Sequence, residues 1–440
     1  MTLGKKILFV LLALFLSFAA IACDRTDDAV LRIALDIEDE GRYDELFTYF
    51  TETTGIPVAA TYGLDLNKIF NTKDEPDLIK TSTVVIGSMK DLYVDLAPYL
   101  EADPDADASD YVDVLIDALT FEGKIYALPT SVNTSLLYYN KTLFDEKAVE
   151  LRAAFGLTEA DSIYPQADWS WVDFQTAGVI LSEFTGSGDD RTYTQFGAEA
   201  QLSWWGEWLV YLNQMGGTFY VPGTDDRVCA INSAEATLAT TFYRTKSMGS
   251  ATEKFAPDAV EQSSGFAFLT GNVAMIFGGH LGDWYAFDVL EMDWGVQLLP
   301  TPVGDPAARG GEISADAFGI SLRSEKKDQA FQFLKLWAGD AGALEMYKHG
   351  KIGALKTMEA LIDALPETER TSIDHHVVFD AMEIAVTLPA EKDFAKVMRD
   401  MVMTELYLLM YDGRGAETDV AAVLSRIKTH VDDYYAGLYD

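Results

Sequence analysis

Residues 266–284 read FAFLTGNVAMIFGGHLGDW. Phe266, Phe268 and Leu269 are apolar, and Gly271 with Asn272 forms a turn signal. Val273 to Phe277 is an apolar run of strand length, which Gly278 and Gly279 interrupt before His280 and Trp284. Glycine has no Cβ, so a strand ending in paired glycines lets a ligand or another backbone come close. The same pattern also suits a buried strand followed by a loop. The rest of the chain decides between the two.

The 440 residues suit two or three domains at about 150 residues each. A hydrophobic share of 49% is enough to build large cores. Against 33 Lys and Arg stand 70 Asp and Glu, a net charge of −37. A chain so acidic repels phosphate backbones, which excludes nucleic acid as a partner. The acid is spread along the chain, as on a solvated surface.

The N-terminus reads as an address. Lys5 and Lys6 precede an apolar run from Ile7 to Ile21, and Ala20-Ile21-Ala22-Cys23 follows. A basic start, a short apolar run and small residues make an export signal over residues 1–22. The run is short for a membrane span of about 20 residues. The Ala-Ile-Ala-Cys site is similar to a bacterial lipobox, with Cys23 as the lipidated residue and 23–29 as a polar tether. Cys229, the other cysteine, reads as a small buried hydrophobe.

From Val30 onward, strand and helix patterns alternate. Val30 to Leu35, Val58 to Tyr62 and the run entered by Pro76-Asp77-Leu78-Ile79 read as strands. Tyr43, Leu46, Phe47 and Phe50 repeat at helical spacing up to Gly55. Such alternation predicts a mostly parallel α/β sheet, whose ligands gather beyond the carboxyl ends of strands. Asp36, Glu38 and Ser82 stand there and are candidates for ligand contact or for helix caps. Thr130 to Ser135, between two further strands, suits hydrogen bonds to a hydroxylated ligand or a hinge, so Asn133 and Thr134 join the candidates. Ser170 with Asp173 is a capping box, and Asn232 with Glu235 caps another helix. Trp205, Trp208, Leu209 and Leu212 form a helical stripe, mostly core, while Trp204 at its edge faces a cleft. From Ser324 the chain reads almost wholly helical.

Catalytic motifs are missing: there is no G-x-S-x-G, H-E-x-x-H, P-loop or dinucleotide glycine pattern. His375-His376 lacks a third ligand at a diagnostic spacing, and the acidic loop Asp103 to Asp110 lacks the Gly and final Glu of a calcium loop. No metal, cofactor or enzymatic reaction is therefore expected.

Several landmarks together resemble the family 1 extracellular solute-binding proteins of bacterial ABC importers, the maltose-binding-protein-like group. They are Pro76 to Ile79, Leu92 to Leu100, GKIYALP at 123–129, LYYNKTLF at 137–144, WSWVDF at 169–174, and the Gly-x-x-Ala-Met-x-x-x-Gly pattern from Gly271 to Gly279. Ser314 to Ser321 and the tail from Thr418 complete the series, which runs from Val30 to the C-terminus. Where the family places Trp after the last glycine, this chain has Leu281, and its nearest tryptophan is Trp284.

The resemblance implies a two-lobed α/β fold, each lobe a mixed, mostly parallel sheet flanked by helices, with a helical C-terminal region. The expected lobes are 30–135 with 266–320, and 136–265 with 321–440. It implies a monomer that binds a carbohydrate between the lobes and presents it to a membrane permease, held to the membrane by a lipid anchor alone. Trp204, Trp205, Gly279, His280, Trp284 and Asp316 then join the cleft. Asp36, Glu38 and Asp316 also keep open a cationic ligand such as a polyamine or metal; a secreted hydrolase is the remaining alternative.

Overall fold

The computed structural model describes residues 29–438, except positions 71, 73, 188–189, 203, 224–226, 280–283, 306–307, 309, 390–392 and 412–416; of residues 38, 66 and 67 it describes the backbone only. Nine strands build its two main sheets: β1 Leu31–Leu35, β2 Val58–Tyr62, β3 Leu78–Ser82, β4 Leu128–Thr134, β5 Leu136–Asn140, β6 Met275–Gly279, β7 Trp294–Gln297, β8 Glu312–Ile320 and β9 Val386–Thr387. The helices that matter below are α1 Asp44–Thr54, α2 Gly206–Gln214, α3 Ala234–Met248, α4 Trp284–Val289, α5 Lys327–Ala338, α6 Asp340–Lys348, α7 Met358–Asp363, α8 His375–Met382 and α9 Val420–Tyr435.

In the first sheet the order is β9-β8-β3-β1-β2, with β4 also on β8. β1 runs parallel to β2 and β3, and β8 runs antiparallel to β3 and β4. Leu31, Ile33 and Leu78 are fully buried, as both-face-covered parallel strands require. α1 covers this sheet with Leu46, Phe47 and Phe50, and stops where Gly55 turns left-handed at φ 75°. Phe50 meets Phe333 of α5 edge to face at 4.9 Å. Each such aromatic stabilises the core by about 1.5–3 kcal/mol.

The second sheet is β6-β5-β7, antiparallel throughout. A second core lies on it, built from α2, α3, α9 and their neighbours. Trp171 stacks on Phe242 at 4.4 Å, and Tyr211 on Phe277 at 4.4 Å. The Ser170–Asp173 capping box forms as expected. The cap of α3 is Ser233 and not Asn232, since the Ser233 hydroxyl accepts from the Ala236 N–H.

The opening stretch changes character here. The glycines do not end β6 but lie inside it. Gly278 takes φ 76°, the pairing with β5 slips there, and Gly279 pairs again with Leu136. A left-handed residue makes a bulge that only glycine adopts at low cost.

The expected split of the chain into lobes also needs correction. β6 and β7 pair with β5, so 266–299 sits with the second sheet and not the first. α5 packs on β4 and β8, so the helices after residue 321 begin on the first sheet. Hydrogen bonding of β5 to both neighbours outweighs sequence adjacency. The chain crosses between the sheets at Thr134–Leu136, between Gln297 and Glu312, and between Met382 and Leu388.

Candidate functional site

Strand register alone assembles the first wall. Asp316 of β8 lies opposite Ser82 on one side and Ser131 on the other. Lys80 is two residues before Ser82, hence on the same face. Ile352 bridges to Val132, which brings Lys351 alongside. The result is an ion network. Lys80 Nζ lies 2.6 Å from Asp36 Oδ2, 3.5 Å from Asp39 Oδ2 and 3.6 Å from Asp316 Oδ2. Lys351 Nζ lies 2.9 Å from Asp316 Oδ2, and the Ser131 hydroxyl donates to the same oxygen at 3.4 Å. Arg42 Nη1 approaches Asp39 at 3.7 Å. Three carboxylates thus face three cations.

Burial works against ionising Asp316, but Lys351 and Lys80 outweigh it and hold its pKa down to about 2. Burial likewise disfavours the Lys80 and Lys351 cations, yet Asp316 and its fellow carboxylates raise both. All three stay charged across the physiological range. A concavity opens beside them, lined by Asp36, Leu64, Lys80, Ser82, Val85 and Asp316.

The second wall is built differently. A concavity there is lined by Glu199, Gln201, Trp204, Gln262, Leu269 and Phe287. Residues 199–205 carry its polar edge. The Gln201 amide donates to the Phe277 carbonyl at 2.9 Å, and Glu199 Oε2 accepts from the Phe268 N–H at 2.7 Å. Beneath them lies a fully buried ion pair, Lys246 with Glu207. Lys246 also donates to the Glu199 carbonyl at 3.1 Å, Glu207 accepts from the Gln201 N–H at 3.2 Å, and Tyr211 donates to Glu207 at 3.1 Å. The pair therefore anchors the loop from both sides. Burial pushes the Lys246 ammonium down, opposed by Glu207. Trp204 is half-buried and its ring lies 4.3 Å from that of Trp205.

The lobes touch at their margins. Val84 packs on the second core, the Asp393 N–H donates to the Ser88 hydroxyl at 3.0 Å, and Arg42 lies over the Tyr285 ring at 5.9 Å.

Of the sequence candidates, Asp36, Ser82 and Asp316 share the first concavity and Trp204 lines the second. Asn133 is half-buried on β4 opposite Ser314 and lines neither of the two concavities. Four others are structural. Thr134 is fully buried and its hydroxyl donates to the Glu312 carbonyl at 3.0 Å. Trp205 belongs to the second core. A Cβ on Gly279 would meet Tyr138 at 2.8 Å, so that side of the glycine is closed. Trp284 is 1% exposed and packs in the first core, not in a cleft. Cys23, His280 and the Glu38 side chain lie outside the described residues. Lys80, Lys351, Asp39 and Gln201 were not among the candidates. Lys80 had a signal: a lysine inside the strand LIKTS, between positions that are otherwise buried.

The arrangement places the chain in a class: two α/β lobes joined by several crossings, each carrying a polar concavity. Residues 37–344 match the family of bacterial extracellular solute-binding proteins, and the chain belongs to that family. Its fold is similar to that of an ABC substrate-binding protein of Listeria monocytogenes in complex with cycloalternan (TM-score 0.75, 21% identity, covering 93% of this chain and 99% of that one). It is also similar to the sugar-binding protein MalE of Xanthomonas citri (0.72, 17%, 93% and 98%). UgpB of Mycobacterium tuberculosis, in complex with glycerophosphocholine, shares the fold as well (0.69, 18%, 92% and 98%). No curated protein sequence matches the chain. The family and these neighbours are binding proteins. Among the described residues no helix is long and apolar enough to cross a membrane.

Proposed function

We propose that this chain binds a carbohydrate between its lobes and delivers it to the membrane subunits of an ABC importer. The observation that carries this reading is the balanced network on the first wall. Asp36, Asp39 and Asp316 are already matched by Lys80, Lys351 and Arg42. A site with oriented charges but little net charge suits a neutral ligand rich in hydroxyls, which accept from lysine and donate to carboxylate. A cationic ligand finds its counter-charges taken, so the polyamine or metal reading loses its support. Trp204 supplies an apolar ring face on the other wall, as sugars require. The sugar complexes of the Listeria and Xanthomonas neighbours point the same way.

The lobes in this reading are 30–134 with 312–382, and 136–299 with 388–438. Ligand shifts the population toward a closed form, because only closure lets both walls contact it. Micromolar binding needs about 8 kcal/mol, within reach of several charge-assisted hydrogen bonds and one stacked ring. Residues 1–22 act as an export signal, and a lipid on Cys23 holds the protein at the outer face of the cell membrane. Labelled palmitate should enter the wild-type protein and not Cys23→Ala.

The central test is a melting scan against mono-, oligo- and cyclic saccharides with spermidine as a control. Ligand at a hundred times its Kd should stabilise by about 2.7 kcal/mol. A shift with spermidine and none with any saccharide would overturn the carbohydrate assignment.

A further inference from the structure

On the helical layer of the first lobe, His375 and His376 open α8, and Asp363 closes α7. Sequence spacing offers this pair of histidines no third ligand; the fold supplies one. His375 Nε2 lies 3.0 Å from Asp363 Oδ1, and His376 Nε2 lies 3.7 Å from the same oxygen. The three donor atoms all fall within 4.8 Å of one another. Tetrahedral bonds of about 2.1 Å would set ligand atoms roughly 3.4 Å apart, and the two distances to Asp363 bracket that spacing.

The surroundings fit a site. The other ring nitrogen of His376, Nδ1, lies 2.9 Å from Glu359 Oε1. A carboxylate on Nδ1 fixes the tautomer that leaves Nε2 free to ligate. His375 is 5% exposed, so its ring is held by packing, and the rings of the two histidines stand 4.2 Å apart. The nearest competing cation is Arg370, whose Nη1 lies 3.9 Å from Asp363 Oδ1. Its Nε donates to the Leu365 carbonyl at 3.1 Å and its Nη2 to the Asp363 carbonyl, so the guanidinium is anchored on backbone and leaves the carboxylate available.

We infer that Asp363, His375 and His376 form a binding site for a borderline divalent transition metal of the zinc class, with Glu359 orienting His376. Two imidazoles and one carboxylate select such ions over calcium or magnesium, which want oxygen ligands alone. Three protein ligands leave a fourth position for water. A bound ion ties the end of α7 to the start of α8 and fixes the connection between them. Within that connection the Ser372 hydroxyl donates to Asp288 at the end of α4, on the other lobe. The site is separate from the proposed sugar cleft and stands or falls independently of it.

The test uses untagged protein stripped with EDTA and titrated with ZnSO4 by calorimetry, with CoCl2 absorbance as a second readout. The wild type should bind one saturating equivalent and give the intense visible bands of low-coordinate cobalt. His376→Ala, at an exposed ring, should abolish both, and Asp363→Asn should do the same. Glu359→Gln should keep the stoichiometry but weaken affinity by about 10- to 100-fold. The inference is overturned if no saturable equivalent binds. It is equally overturned if His376→Ala, folded by circular dichroism, binds zinc as the wild type does.

Discussion

The two walls of the cleft both hold ion pairs, but to opposite ends. On the second wall, Lys246 and Glu207 are completely buried, and every polar contact they make is to the protein. On the first wall, Asp36 is 52% exposed while Lys80 and Asp316 are 17% and 20% exposed. One set is a foundation under a loop; the other is a surface with hydrogen-bonding capacity left over. A buried pair contributes mainly because breaking it strands a charge, whereas a half-exposed pair is screened and is worth little to the fold. Charge in this molecule therefore has two separable roles, and substitution can tell them apart.

The largest expected effect is on the buried pair. Lys246→Met leaves the Glu207 carboxylate without a counter-ion, at a cost of about 3–5 kcal/mol, read from the urea midpoint. Combining it with Glu207→Gln should recover much of that loss, since no charge is then stranded. A Lys246→Met protein as stable as the wild type would erase the distinction between the walls.

Asp316 comes next, because it is the most enclosed carboxylate facing the first concavity. Its pKa falls from 3.8 to about 2 on folding. A depressed carboxylate stabilises fully above its unfolded pKa, and the contribution disappears as pH drops through the folded value. The wild type should thus exceed Asp316→Asn by on the order of 2 kcal/mol at pH 6. That gap should close between about pH 4 and pH 2. A gap independent of pH would mean that the network does not hold Asp316 ionised.

The same contrast explains what could be read in the sequence. Elements with local signatures were legible: the β1 and β3 runs, the helix ended by Gly55, and the Ser170–Asp173 capping box. So was the order of motifs along the chain. Site residues at strand ends, Asp36 and Ser82, were also found, because sheet chemistry puts ligands there. Partners brought in by long-range register were not. Ser131 and Asp316 are 185 residues apart, and nothing in either neighbourhood announces the other. Trp284 failed for a related reason: a six-residue helix does not reveal from its own sequence which side meets a core. The lobe boundaries were misjudged because β5 recruits both of its partners from a distant segment. The zinc-class cluster was half visible as His375-His376, while Asp363 came from the turn of another helix.

A moderate effect is expected at Trp204. Its half-buried ring should contribute about 1–2 kcal/mol to sugar binding through stacking, so Trp204→Ala should weaken affinity roughly 5- to 30-fold by calorimetry. The Tm should fall less than in Lys246→Met. Unchanged affinity would remove the second wall from the ligand site and leave the first wall alone.

The smallest effect on stability, and the sharpest test of the comparison, belongs to Asp36. Its carboxylate is half exposed, and Lys80 keeps Asp39 and Asp316 as partners when the charge on residue 36 is removed. Asp36→Asn should therefore cost less than about 1 kcal/mol in urea unfolding. Binding should respond more than folding does, because a charge-assisted hydrogen bond to a sugar hydroxyl becomes a neutral one. Measured side by side, affinity falling with stability held constant would assign this charge to the ligand. A loss of stability equal to that of Lys246→Met, with affinity intact, would instead make the first wall a second foundation and take away the reason for placing the ligand there.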